Sequence, residues 1–122
     1  MQNNITVVLG ASDKPERYSN RAIRLLMEYG HNVIPVHQKL ENIEGLVVKH
    51  QLSHIRMPVD TLSVYIGCER SSHMIDDIIA LKPVRVIFNP GSECEALELA
   101  LYNQGIPFVH DCTLMMLEQG RF

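Results

Sequence analysis

The chain has 122 residues, 46% of them hydrophobic and 20% charged, with a formal net charge of −3 at pH 7. This is the composition of an ordinary globular domain, and the acidic balance argues against nucleic-acid binding, which needs a basic face. No apolar run is long enough to cross a membrane, and no targeting segment precedes the first predicted strand. We therefore expect a single cytoplasmic domain over residues 1–122.

Short apolar segments rich in Val and Ile alternate with amphipathic segments along the whole chain. Continuous apolar runs are typical of parallel strands that are buried on both faces. The predicted strands are 5–9, 32–36, 46–48, 62–66, 84–88 and 106–109, and the predicted helices are 19–29, 71–81, 92–104 and 113–119. This alternation predicts an α/β fold, a Rossmann-like open parallel sheet with helices on both faces.

The first three helices each have an apolar face at helical spacing. The residues expected to point inward are Ile23, Leu26 and Met27, then Met74, Ile75, Ile78 and Ile79, then Ala96, Leu97 and Ala100. Gly30 and Gly105 follow the first and third helices, where a left-handed residue ends a helix. The weak region is 37–60, where we expect minor structure, one turn near 52–55 and a flap over a ligand.

The first strand runs into Gly10 and a polar loop, and Ser19 then opens a helix. Such a strand–loop–helix presents helix N–H groups to an anion. The loop lacks the three glycines of a G-x-G-x-x-G dinucleotide motif, because only Gly10 is present. A phosphate bound here would be held partly by the side chains of Arg17 and Ser19.

The end of the second strand distinguishes between nucleotides. An NAD site needs Asp or Glu there to bind the ribose hydroxyls, whereas this chain has no acidic residue before Glu41. Lys39 suits a phosphate on the ribose, as in NADP or coenzyme A. The alternative interpretation is that Lys39 is an ordinary solvated loop lysine.

Three motifs resemble the small bacterial CoA-binding domain proteins, which are similar to the amino-terminal CoA-binding domain of the succinyl-CoA synthetase alpha subunit. The motifs are V-V-L-G-A-S-x-x-P-x-R-Y-S-N, G-H-N-V-I-P-V and F-N-P-G-S-E, and the resemblance covers essentially the whole chain. It implies a Rossmann-like domain that binds coenzyme A. The chain departs from the family at His37 and Gln38, where Asn-Pro is common.

The resemblance also implies a set of ligand-binding residues. Gly10, Ala11 and Ser12 would line the nucleotide loop, and Arg17, Tyr18 and Ser19 would contact phosphate. Pro35, Val36 and Lys39 would flank adenine and ribose, Ile66, Gly67 and Cys68 would form the opposite wall, and Asn89, Pro90 and Gly91 would lie near the pantetheine arm. We expect a CoA or acyl-CoA binding module without catalytic activity, regulatory or ligand-delivering, since no P-loop motif is present.

The alternative hypothesis is a small NADP-dependent or acyl-transfer enzyme in which Cys112 or His110 reacts. Cys68, Cys94 and Cys112 form no CxxC pair, so we interpret them as reduced thiols, not as a disulfide framework. Cys68 is placed where it could form a mixed disulfide with a bound thiol. His50 and His54 have helical spacing, but without an HExxH context we expect no metal site.

Overall fold

A parallel sheet of five strands forms the centre of the computed structural model, which describes residues 5–122. The strands of this sheet are β1 (Ile5–Leu9), β2 (Asn32–Val36), β5 (Thr61–Val64), β6 (Arg85–Phe88) and β7 (Phe108–His110), and two short strands outside it are β3 (Asn42–Ile43) and β4 (Leu46–Val47). The strand order is β2-β1-β5-β6-β7, with every neighbouring pair parallel. The predicted Rossmann-like α/β fold is confirmed.

The helices cover both faces of the sheet. They are α1 (Tyr18–Glu28), α2 (Cys68–Ser71), α3 (Ile75–Leu81), α4 (Glu95–Asn103) and α5 (Thr113–Glu118), with a 3-10 turn at Leu52–His54. Residues of β1 alternate between two apolar clusters: Val7 and Leu9 pack on the α3 and α4 side, and Val8 packs with Ile23 of α1. This alternation follows from the two-residue period of a strand, and each fully buried aliphatic side chain stabilises the fold by about 1.5–3 kcal/mol. No helix of residues 5–122 is long and apolar enough to span a membrane.

Three details of the predicted helices are wrong. The segment predicted as one helix over 71–81 is divided into α2 and α3, because the N–H groups of His73 and Met74 bond to carbonyls three residues back. Met27 is 39% exposed, since it lies at the margin of the apolar face of α1. Ala96 is also exposed, because Leu97 and Leu101, four residues apart, form the buried face of α4.

The predicted strand at 46–48 does not belong to the main sheet. Glu44 and Gly45 both have positive φ angles and form a tight turn that pairs β3 with β4 as an antiparallel hairpin. After this hairpin the chain returns to the outer edge of β2, where the Lys49 N–H donates to the Pro35 carbonyl and the His37 N–H donates to the Lys49 carbonyl. The 3-10 turn then buries Leu52, so the expected minor structure in 37–60 is confirmed.

The interpretation of all three cysteines as reduced thiols is wrong. Cys68 and Cys94 form a disulfide bridge, with a sequence separation of 26 residues and 4.8 Å between their Cα atoms, whereas Cys112 is free. The bridge joins the first residue of α2 to the residue before α4. Cysteine spacing does not reveal such a pair, because the fold alone brings the two loops together.

Candidate functional site

A groove of about 1150 Å³ opens at the carboxyl ends of β1 and β5. This is the point where the strand order reverses, and ligands of open α/β sheets bind there. Arg17 and four chain segments line the groove. Three of the segments are continuous: Leu9–Lys14, Val36–Leu40 and His50–Leu52. The fourth, between Tyr65 and Asp77, contributes Tyr65, Ile66, Glu69, Arg70, His73, Met74 and Asp77. Pockets for drug-sized ligands have volumes of about 300–1,000 Å³, so this groove has room for a ligand of nucleotide size or larger.

Gly10 forms the floor of the groove where β1 ends. Its φ angle is +90°, and a Cβ atom added there would lie 2.7 Å from Cγ2 of Ile66 and 3.3 Å from the Ile66 nitrogen. A side chain therefore fails on two grounds, because the backbone conformation disfavours it and the neighbouring wall occupies its space. Glycine at this position lets the two walls of the groove approach each other closely.

The loop after Gly10 is held from beneath by two polar side chains of α1. Asn20, which is fully buried, donates a hydrogen bond of 2.9 Å from Nδ2 to the Ser12 carbonyl. Arg24 donates a hydrogen bond of 2.7 Å to the Pro15 carbonyl. Arg24 also donates to the Asn20 side-chain oxygen, which fixes the orientation of the amide. The loop is therefore positioned before any ligand arrives.

The amino end of α1 has no side-chain cap. Arg17 occupies the N-cap position without a capping hydrogen bond, and no acidic residue lies in the first turn. The first N–H groups of a helix have no partner within the helix, and together with the helix dipole they favour an anion. Because Arg17 also lines the groove, its guanidinium and the amino end of α1 lie together.

Positive charge is concentrated in the groove. Lys14, Arg17, Lys39 and Arg70 line it, and among residues 5–122 none of these side chains forms a salt bridge or hydrogen bond. The lining carboxylates are those of Asp13, Glu69 and Asp77. The lining thus has one more cation than carboxylates, whereas the whole chain has a net charge of −3, so the local charge balance favours an anion.

The wall beyond β2 is organised by two histidines. Nδ1 of His37 accepts hydrogen bonds from the backbone N–H groups of Lys39 and Leu40, each with a donor–acceptor distance of 3.0 Å. These bonds place the remaining proton of a neutral His37 ring on Nε2. Nε2 of His50 lies 3.1 Å from the Leu40 carbonyl oxygen and 3.4 Å from a carboxylate oxygen of Glu41. The residues around Lys39 are thus held in a defined turn.

The structure brings only part of the predicted site into the groove. The lining includes Gly10, Ala11, Ser12, Arg17, Val36, Lys39 and Ile66, but not Tyr18, Ser19, Pro35, Gly67, Cys68, Asn89, Pro90 or Gly91. Tyr18 is 63% exposed and lies under the guanidinium of Arg21, while Ser19 and Pro35 are buried in α1 and β2. Gly67 and Cys68 lie in sequence between Ile66 and Glu69, which do line the groove.

Asn89 has a clear structural environment. Its buried side-chain amide donates two hydrogen bonds of 2.9 Å, one to Ser63 Oγ and one to the Val64 carbonyl. The amide oxygen accepts a third bond, of 2.8 Å, from the Thr113 N–H. All three bonds tie β5 and α5 to the end of β6. Nearby, the N–H of Gly91 donates to the carboxylate of Glu93. These polar groups already have protein partners.

Several lining residues were absent from the predicted site. His50, Gln51 and Leu52 come from the region expected to be a flap, and His73, Met74 and Asp77 come from the helical segments after β5. The strand-end rule identifies only residues that directly follow a strand. The return of the chain to β2 at Lys49 brings His50 to the groove, and no local pattern signals that return.

The reactive groups of the alternative enzyme hypothesis lie outside the groove lining. Nε2 of His110 lies 3.1 Å from a carboxylate oxygen of Glu98, which also accepts the N–H of Cys94. Cys112 is half-buried at the start of α5, and its N–H bonds to Asp111. His110 is paired through its side chain and Cys112 bonds through its backbone N–H, and neither residue is among those that line the groove.

Tyr65 connects the groove to the protein interior. Its hydroxyl is buried, and no group of residues 5–122 forms a hydrogen bond with it. Burial raises the pKa of Tyr65 to about 12, against a smaller opposing effect of the nearby Ser63 and Thr113 hydroxyls. A neutral phenol is therefore maintained at this point of the groove.

Three similar proteins place this geometry in context. One is an uncharacterized protein of known crystal structure, 37% identical, with a TM-score of 0.88 and full coverage of both chains. Another is the uncharacterized protein YneT of Bacillus subtilis, 25% identical over 72 residues, which are 59% of this chain and 53% of YneT. The chain thus matches about half the length of that curated relative.

The third is a dinucleotide-forming acetyl-coenzyme A synthetase 1 of Candidatus Korarchaeum cryptofilum, solved in complex with phosphate and ADP. It is 20% identical with a TM-score of 0.76, and the match covers 89% of this chain but 26% of the synthetase. At this identity the likeness shows a shared fold. Residues 4–118 match the family described as CoA binding domain. The chain therefore belongs to the CoA binding domain family.

Proposed function

We propose that the protein binds coenzyme A or an acyl-CoA in the groove between β1 and β5, as a binding module that holds its ligand without turning it over. The observation that carries this proposal is the set of four cationic side chains that line the groove, without a protein partner among residues 5–122, together with a preformed loop and an uncapped helix end. Coenzyme A carries a diphosphate and a 3′-phosphate, so its nucleotide half is a polyanion. Membership of the family supports the same ligand.

The two ends of the groove suit different parts of the ligand. Arg17 and the amino end of α1 are placed for the diphosphate, because helix ends and guanidinium groups both bind phosphate oxygens well. Lys39 and the His37 ring are placed for the phosphate on the ribose. No carboxylate occurs among the four lining residues that follow Val36, whereas an NAD site has a carboxylate there.

Calorimetric titration with coenzyme A, dephospho-CoA, NAD and NADP tests this proposal. Coenzyme A should bind with a stoichiometry of one. Arg17→Glu and Lys39→Glu should each weaken it by about tenfold or more, since a hydrogen bond to a charged group contributes about 1.5–3 kcal/mol. If Lys39 binds the 3′-phosphate, Lys39→Glu should affect dephospho-CoA much less than coenzyme A.

Arg56→Glu is the matched control, because Arg56 is exposed and does not line the groove. It makes the same change in net charge and should leave the affinity nearly unchanged. Saturable binding of NAD or NADP with no binding of coenzyme A would overturn the proposal. Equal weakening by all three charge reversals would show that the attraction is not localised to the groove.

A further inference from the structure

The disulfide bridge lies at the same edge of the sheet as the groove. Cys68 opens α2 directly after Ile66 and Gly67, and Cys94 directly precedes α4. The two loops approach each other, since a Cβ atom on Gly67 would lie 4.0 Å from the Gly91 carbonyl oxygen. The bridge therefore connects the wall of the groove to the loop that follows β6.

The two sulfur atoms differ in their surroundings. Cys94 is 2% exposed and belongs to the core beneath α4, whereas Cys68 is half-buried at the margin of that core. Ile66 lies two positions before Cys68 and Glu69 directly follows it, and both line the groove. Cys68 is therefore the more exposed bridge residue and the one next to the lining segment, so a thiolate would attack its sulfur and the sulfur of Cys94 would be the leaving group.

We propose that the Cys68–Cys94 bridge is a thiol–disulfide exchange site for a thiol-bearing ligand held in the groove. This inference rests on the proposed function, since the pantetheine arm of coenzyme A ends in such a thiol. Disulfide exchange proceeds by attack of a thiolate on one sulfur through a mixed disulfide. The groove supplies the ligand, and the bridge supplies a pair of oxidised sulfurs.

The exchange balances without any further reactant. The ligand thiolate attacks the sulfur of Cys68, a bond forms between these two sulfurs, and the Cys68–Cys94 bond breaks. Cys94 leaves as a thiolate and takes up the proton that the ligand thiol released. A second ligand thiolate can then attack the ligand sulfur of the mixed disulfide and release Cys68, so that two coenzyme A molecules become one disulfide while the protein gains two electrons. The reverse sequence reduces coenzyme A disulfide.

The first test uses the unaltered oxidised protein without oxygen. It is incubated with coenzyme A or with glutathione at equal concentration, quenched with acid, and followed by intact-mass measurement. Mixed disulfide with coenzyme A should form at a rate that saturates with its concentration. Below saturation this rate should exceed that with glutathione by about tenfold or more, because a bound thiol reacts with a high effective concentration.

Desulfo-CoA, which lacks the thiol, separates binding from exchange. It should bind in calorimetry and suppress formation of the mixed disulfide. If coenzyme A and desulfo-CoA bind but coenzyme A reacts no faster than glutathione, the exchange proposal fails and the proposed function stands. If neither compound binds, both proposals fail.

Peptide mapping identifies the sulfur that reacts. In Cys94→Ser, incubation with coenzyme A disulfide should leave a stable adduct on Cys68, since its bridge partner is gone and cannot displace the adduct. Cys112 is free and serves as an internal control in the same chain. An adduct found mainly on Cys112, in the unaltered protein or in this variant, would overturn the proposal.

Discussion

Asn20, which has no exposed surface, donates a hydrogen bond of 2.9 Å from its side chain to the carbonyl oxygen of Ser12. The same amide donates to a carboxylate oxygen of Glu44 over 3.1 Å, and its oxygen accepts from Arg24. One residue of α1 thus connects the loop after β1 to the β3–β4 hairpin. The shape of the loop depends on groups beneath it, which do not line the groove.

Asn20→Ala should therefore weaken coenzyme A binding although Asn20 does not line the groove. Loss of its three part-buried hydrogen bonds, two of them to charged side chains, should lower the free energy of unfolding by about 1–3 kcal/mol. Urea denaturation and calorimetric titration measure the two effects. Asn103→Ala, an exposed residue of α4, should change neither quantity. Unchanged affinity in Asn20→Ala would show that the loop keeps its shape without this support.

Gly10→Ala should be more damaging than alanine at another glycine of similar backbone conformation. Gly30 has a φ angle of +87°, and nothing lies within 4 Å of a Cβ atom there, so Gly30→Ala measures the backbone cost alone, about 1–2 kcal/mol. Gly10→Ala adds the contact with Ile66, and its loss of stability should be larger. Equal losses in thermal or urea denaturation would contradict the close approach.

Ile66→Leu tests the source of that extra cost. Leucine has about the same volume as isoleucine but lacks a Cγ2 branch, so it should relieve part of the contact in a Gly10→Ala background. The double variant should lose less free energy of unfolding than the sum of the losses measured for the two single variants. Simple additivity would mean that the two positions do not interact.

Asn89→Ala should destabilise the fold more than it affects the ligand. The variant leaves the buried Thr113 N–H without its partner, and Ser63 Oγ keeps only its bond to the Thr113 hydroxyl, so we expect a loss of about 2–4 kcal/mol from three bonds. Urea denaturation gives the stability, and titration of the folded variant gives the affinity. A strong loss of affinity in a stable variant would instead place Asn89 in the ligand site.

Tyr65 should make the protein sensitive to alkali. Its pKa is about 12 when folded and 10.0 when exposed, so between these values unfolding releases a proton and stability falls as pH rises. The full effect is about 3 kcal/mol at 1.36 kcal/mol for each pH unit. Tyr65→Phe should remove this slope, measured by urea denaturation from pH 9 to about pH 12.

Near pH 7 the same variant should be neutral or stabilising, because it removes a buried hydroxyl that has no partner. Tyr102→Phe is the control, since Tyr102 is 77% exposed and gains nothing from the change. A slope that persists in Tyr65→Phe would show that another group causes the alkaline sensitivity.

The regular parts of this fold could be predicted from the sequence, because their signals are local. The apolar run at 5–9 and the helical spacing of Ile23 and Leu26 determine which faces are buried, and Gly30 ends α1 with a φ angle of +87° as expected. The end of β1 also placed Gly10 and Arg17 in the groove, since strand ends are where parallel sheets bind ligands.

The remaining features depend on contacts between distant segments. Asn89 follows a strand just as Gly10 does, yet its amide is used inside the protein by Ser63 and Thr113. The pairing of Cys68 with Cys94 depends on how α2 and α4 pack, which spacing does not encode. His50 reaches the groove only because Lys49 bonds to β2, so its role follows from a tertiary contact.

The return of the chain to β2 has a consequence for the behaviour of the protein at high concentration. The outward-facing carbonyl of Pro35 is occupied by Lys49, and Pro35 has no N–H to offer a foreign strand. Exposed strand edges are where folded proteins join into aggregates, and natural proteins protect them by covering them or with proline. Both kinds of protection occur in the carboxyl half of the edge strand β2. The segment that connects β2 to β5 therefore also covers a sheet edge at which a second molecule could pair.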